Sequence, residues 1–142
     1  MILYLDTSAL VKLYLDEEDS GAVHEAVEAA EGVATSTVAY AETRAAFARR
    51  ERFGDLDDEG LRRAVGAFDG DWRSFVRISV SNLVAYRAGE MAERYALRGF
   101  DAVHLASAVR LGERFADVRF LAFDDRLVEA ARGASVPVFE ET

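Results

Sequence analysis

Short apolar runs that alternate with stretches of helical spacing constrain this chain more than any other feature. "MILYLD", "VATS", "FVRISV", "DVRFLAF" and "VPVF" have the length and composition of strands. Between them lie segments with helical periodicity. Helices are expected over "TSALVKLYL", "DSGAVHEAVEAAEG" closed by Gly32, "TVAYAETRAAFARRERFG" closed by Gly54, and "DLDDEGLRRAVGAFDGDW". Three more follow: "SNLVAYRAGEMAERYALRG", capped by Ser81 and stopped by Gly99, then "DAVHLASAVRLG" and "DDRLVEAARG". Strands alternating with helices imply an α/β fold, a parallel sheet with helices on its faces. In such open sheets, sites form beyond the carboxyl ends of the strands. The residues at those ends therefore matter most.

The chain has 142 residues, which suits a single domain spanning 1–142 with its own core. No apolar stretch reaches the length of a membrane span. Asp6 and Lys12 interrupt the apolar start, which has neither a basic leader nor a small-residue cleavage site. A cytoplasmic protein without membrane contact is expected. Cysteine is absent, which excludes disulfides and thiolate metal sites. The net charge of −9 excludes binding of nucleic acid through bulk charge. Any such contact must rest on local basic patches or on metal. One such patch is "RAAFARRER", with Arg44, Arg49, Arg50 and Arg52, followed by Arg62 and Arg63. It reads either as a solvated helix face paired with nearby acids or as Arg forks for phosphate.

Two strand-to-helix junctions look alike. "ILYLDTS" ends its strand on Asp6, and "RFLAFDDR" ends its strand on Asp124, with Asp125 next. Each acid suits a helix cap, and each also sits at a carboxyl end of the sheet. Asp101 opens the helix of "RGFDAVHLASAVRL", where it reads as an N-cap and as a group presented at the same edge. Glu42 lies inside a helix among Val38, Ala45 and Ala46. A charge on such a stripe needs a partner, either Arg44 or Arg49 at the surface or a polar pocket. Clustered carboxylates repel one another and raise their own pKa values unless something positive joins them. Oxygen-only donors point to a hard ion, Mg²⁺ or Mn²⁺, and hence to metal-assisted attack of water on a phosphodiester.

Other residues carry a weaker signal. Ser8 and Ser36 follow strands and suit either caps or contacts to metal-bound water and substrate. Lys12 lies one turn beyond Ser8, within reach of a phosphate. His104, three residues after Asp101, reads as a packed core residue. His24 reads as solvated. Trp72, Phe75 and the tyrosines read as core or interface rather than base-stacking platforms.

The blocks "YLDTSALVKLYL", "TSTVAYAET", "LRGFDAVHLASAV" and "FLAFDDRLVEAA" together resemble PIN-domain proteins, specifically the VapC-type toxins of toxin–antitoxin pairs. The similarity runs in order along essentially the whole chain. It implies a three-layer α/β/α fold around a parallel sheet and an endoribonuclease dependent on Mg²⁺ or Mn²⁺. By position, Asp6, Glu42 and Asp101 match the three core acids and Asp124 the fourth, more variable one. Asp6 and Asp101 are the expected metal contacts, and Ser8 matches the small hydroxyl after the first acid. "FDD" leaves Asp125 as the other candidate for the fourth acid. The resemblance also implies RNA as substrate, a homodimer and a VapB-type antitoxin over the acidic groove. DNA would be met only through that antitoxin.

Rival readings are separable. A haloacid-dehalogenase phosphatase needs a second Asp where Ser8 stands, and a phospho-acceptor receiver needs a late Lys that the chain lacks. An RNA-processing nuclease without an antitoxin and a non-catalytic PIN scaffold remain as alternatives.

Overall fold

A computed structural model describes residues 1–140. Four strands, β1 (Ile2–Leu5), β2 (Gly32–Ser36), β3 (Val76–Ile78) and β4 (Val118–Leu121), form one sheet in the order β3-β2-β1-β4. All three pairings are parallel. The helices are α1 (Thr7–Tyr14), α2 (Ser20–Ala29), α3 (Val38–Arg52), α4 (Asp58–Trp72), α5 (Asn82–Tyr95), α6 (Gly99–Gly112) and α7 (Asp125–Gly133).

β1 is apolar on both faces because it lies between β2 and β4 with helices above and below. Leu3 and Leu5 point to a core shared with α1, α2, α3 and α4, while Tyr4 points to the core under α5, α6 and α7. This is the three-layer arrangement expected. Phe68, fully buried, is the hub of an aromatic cluster with Tyr14, Tyr40, Phe47 and Trp72. Trp72 and Phe75 therefore serve the core.

Several boundaries differ from the sequence expectations. Gly32 does not close a helix: α2 ends at Ala29, and Gly32 opens β2 opposite Ile2. Gly99 does not stop α5. Ala96 does so in the left-handed region (φ 53°), which leaves Gly99 as the first residue of α6. Asp101 is consequently not an N-cap. Arg98 takes that position without a side-chain cap bond, and Asp101 lies in the first turn. "VPVF" contributes one bridge, Phe120 to Val138, rather than a strand.

The chain runs outward from β1 through β2 to β3, and β4 then returns to the other flank of β1. The carboxyl ends of β1 and β4 thus border the topological switch point, where open α/β sheets form their clefts. Asp6 follows β1 directly, and Asp124 lies just beyond β4.

Candidate functional site

Asp6 is the N-cap of α1. Its Oδ1 accepts from the Ala9 amide at 3.0 Å, and the Ser8 hydroxyl donates to both carboxylate oxygens, at 2.8 and 2.9 Å. Asp6 is nevertheless only 4% exposed. Burial pushes its pKa above the ordinary 3.8, and the charge of Asp101 pushes the same way, against His104, the Ala9 amide and Ser8. Asp6 thus caps α1 while buried at the carboxyl edge of the sheet.

Asp101, partly buried in the first turn of α6, is pushed up as well. Burial is the largest cause and the charge of Asp124 the next, with Glu42 adding to it; His104 and Arg98 oppose. Asp124 is exposed and caps α7 through the Leu127 amide at 3.1 Å. Within "FDD", Asp124 is the one whose charge acts on Asp101. Asp125 is the exposed first residue of α7.

Glu42 pairs with neither Arg44 nor Arg49. Its Oε1 accepts from the Thr7 hydroxyl at 2.6 Å and lies 3.1 Å from His104 Nε2. His104 Nε2 also lies 3.0 Å from Thr7 Oγ1, and its Nδ1 lies 2.8 Å from the Tyr4 hydroxyl. Burial alone would raise the Glu42 pKa, but the bonds from His104 and Thr7 outweigh it and hold the carboxyl below its ordinary 4.5. Thr7, Tyr4 and His104 were not singled out for the site from the sequence. The alternation of β1 turns Tyr4 toward α6, and this geometry carries no local sequence signal.

Glu42 and Asp101 both line a groove of about 670 Å³ whose wall includes Ala85, Gly89 and Ala92 of α5. Phe100, 60% exposed, stands at its lip beside Arg98. Ser36 is fully buried and accepts from the Val38 amide, so it faces away from solvent. Lys12 is committed to the Glu18 carbonyl, to Glu17 and to the face of Phe123. The α3 arginines are partly paired: Arg50 holds Glu17 and Asp55, and Arg44 donates to the Tyr40 hydroxyl. Among the described residues, no helix is long and apolar enough to cross a membrane.

A PIN domain family model matches residues 3–133. The chain belongs to the PIN domain family. Within that family it is 36% identical over 112 residues to Ribonuclease VapC45 of Mycobacterium tuberculosis, covering 79% of this chain and 78% of the relative. It is 32% identical over 136 residues to Ribonuclease VapC46 of the same species, covering 96% and 95%. Among solved structures, a toxin–antitoxin complex from Klebsiella pneumoniae superposes with a TM-score of 0.66 at 18% identity, covering 96% of both chains. These matches place the sheet and helices described above on the PIN domain fold.

The donor set of this PIN domain fits a hard divalent cation held by few ligands. Asp6, Asp101 and Asp124 supply only oxygen, and of the four acids Glu42 alone has a basic side-chain nitrogen within 4 Å among the described residues, that of His104. Two of the remaining three have raised pKa values, burial being the largest cause and a neighbouring acid adding to it. No three His, Asp or Glu side chains among the described residues form a ready cage. Mg²⁺ does not need one, because it commonly takes one or two carboxylates and keeps its waters.

Proposed function

We propose that this PIN domain is a metal-dependent endoribonuclease, the toxin of a toxin–antitoxin pair. The observation that supports this most is the acid group at the β1/β4 switch point, where Asp6 and Asp101 carry raised pKa values and no ion-pair partner among the described residues. The ribonuclease names of its VapC relatives support the substrate class. Asp6 and Asp101 would hold Mg²⁺ or Mn²⁺, which when bound supplies positive charge to polarise a phosphate and favour attack by water. Ser8 and the Ala9 amide fix the Asp6 carboxylate in one orientation. Asp124 adds negative charge beside Asp101. Glu42, held ionised, accepts the proton of the attacking water. The water oxygen bonds to phosphorus as the bond from phosphorus to the leaving ribose oxygen breaks, and that oxygen is protonated from solvent. Arg98, exposed and beside Asp101, supplies the kind of local basic contact that a chain of net charge −9 requires to hold RNA.

The partner in this reading is a VapB-type antitoxin, in keeping with the toxin–antitoxin complex that shares the fold. A cationic side chain from such a partner would stand in for the ion's charge among the acids. A homodimer with cytoplasmic action completes the reading. The test is cleavage of mixed tRNA and rRNA by purified protein in Mg²⁺ or Mn²⁺, in EDTA, and by Asp101→Asn. Discrete fragments that vanish in EDTA and in the variant are expected. A folded protein that neither cleaves RNA nor binds Mn²⁺ would overturn the reading in favour of a non-catalytic scaffold.

A further inference from the structure

His104 is 1% exposed, yet its two nitrogens serve different layers of the molecule. Nδ1 meets the Tyr4 hydroxyl at 2.8 Å inside the core. Nε2 meets Glu42 Oε1 at 3.1 Å at the wall of the groove. An ionised carboxylate only accepts, and the Thr7 proton is already given to Oε1 at 2.6 Å. Nε2 therefore carries a proton and donates. Tyr4 cannot drift, because its ring stacks on Phe120 at 5.5 Å and is fully buried. A rigid chain thus runs from β1 through α6 to α3: Tyr4, His104, Glu42. It occupies Oε1 with two donors, whereas Oε2 has no hydrogen-bond partner among the described residues.

We propose that His104, anchored by Tyr4, is a positioning residue that fixes the Glu42 carboxylate with Oε2 presented to the groove, so that Glu42 serves as proton acceptor and not as a cation ligand. This rests on the hydrolytic reading above. A histidine that only filled the core would have no need of a partly exposed carboxylate. Direct coordination through Oε1 would have to displace both of its donors.

The test combines steady-state RNA cleavage with calorimetric titration of Mn²⁺ alone. His104→Leu, which keeps bulk and loses both bonds, lowers kcat about 30- to 100-fold, while KM for RNA and the Mn²⁺ Kd stay within about twofold. His104→Gln places an amide N–H near the Nε2 position and recovers about tenfold of that loss. Tyr4→Phe lowers kcat about three- to tenfold alone and adds little in the His104→Leu background, because both act through one chain. Unchanged kcat in His104→Leu overturns the inference. So does a joint loss of kcat and Mn²⁺ affinity, which is what a merely structural role produces. If His104→Leu does not fold, Tyr4→Phe and His104→Gln decide, and an unaffected kcat in Tyr4→Phe overturns the inference. A wild-type protein that cleaves RNA beside indifferent variants removes this inference alone. A folded wild-type protein that neither cleaves RNA nor binds Mn²⁺ removes the hydrolytic reading as well.

Discussion

Replacing Asp6 by Asn should stabilise the protein without divalent cation and reverse that order once the cation is added. Asn keeps an acceptor for the Ala9 amide, bonded at 3.0 Å in the wild type, and can still exchange hydrogen bonds with Ser8, so the cap of α1 survives. What disappears is a buried negative charge. Burial raises the Asp6 pKa above 3.8 in the folded state, and each pKa unit of such a rise costs the folded protein about 1.4 kcal/mol at neutral pH. Asp6→Asn is therefore expected to raise Tm in EDTA. Free cation at 100 times its Kd would stabilise the wild type by about 2.7 kcal/mol and leave the variant behind. The pH dependence has a definite sign. A group with a raised folded pKa contributes stability below its unfolded value and loses it as pH rises through the folded one. The advantage of Asn is therefore largest above the raised folded pKa and fades as pH falls through it toward 3.8. Thermal unfolding followed by circular dichroism, in EDTA and in Mg²⁺ at both ends of that range, measures all of this. A variant less stable than wild type in EDTA at pH 7.5, by as much as in Mg²⁺, would refute the reasoning and leave Asp6 as a cap alone.

Phe68→Ala empties the centre of the aromatic cluster and should cost about 3–5 kcal/mol in urea unfolding. Asp124→Asn should lower the Asp101 pKa in carboxyl NMR titrations without cation, because the Asp124 charge is the second cause of its rise, whereas Asp125→Asn should leave it in place. A side chain added at Gly89 meets no atom within 4 Å at its Cβ, so Gly89→Leu should stabilise α5 by about 0.5–1 kcal/mol in urea unfolding. The same variant narrows the groove beside Glu42 and Asp101, and RNA cleavage assays should show a raised KM.

The acids at the strand ends were legible because an apolar run that stops on Asp has few other places to put it; both Asp6 and Asp124 cap helices at the switch point. The layers were legible for the same reason, since β1 is apolar at every position and so must be covered twice. The partner of Glu42 was not. Its nearest sequence cations are Arg44 and Arg49, but α3 turns it toward His104, 62 residues later. His104 looked like packing because it is packed, and only the register of Tyr4 on β1 shows that its ring also faces outward to a carboxylate. Helix ends misled where glycine was read as a stop. α5 ends on Ala96 at positive φ, which shifted the start of α6 and moved Asp101 from cap to first turn.

The pairing of Ile2 with Val118 has a consequence in time. During synthesis the residues up to Asp101 can emerge and begin to fold while β1 still lacks its neighbour and Asp124 has not been made. At 5–20 residues per second, the 17 residues from Asp101 to β4 take roughly 1–3 s. Through that interval the nascent chain carries three of its acids but no completed cleft. On the function proposed above, the last strand is what would arm the molecule.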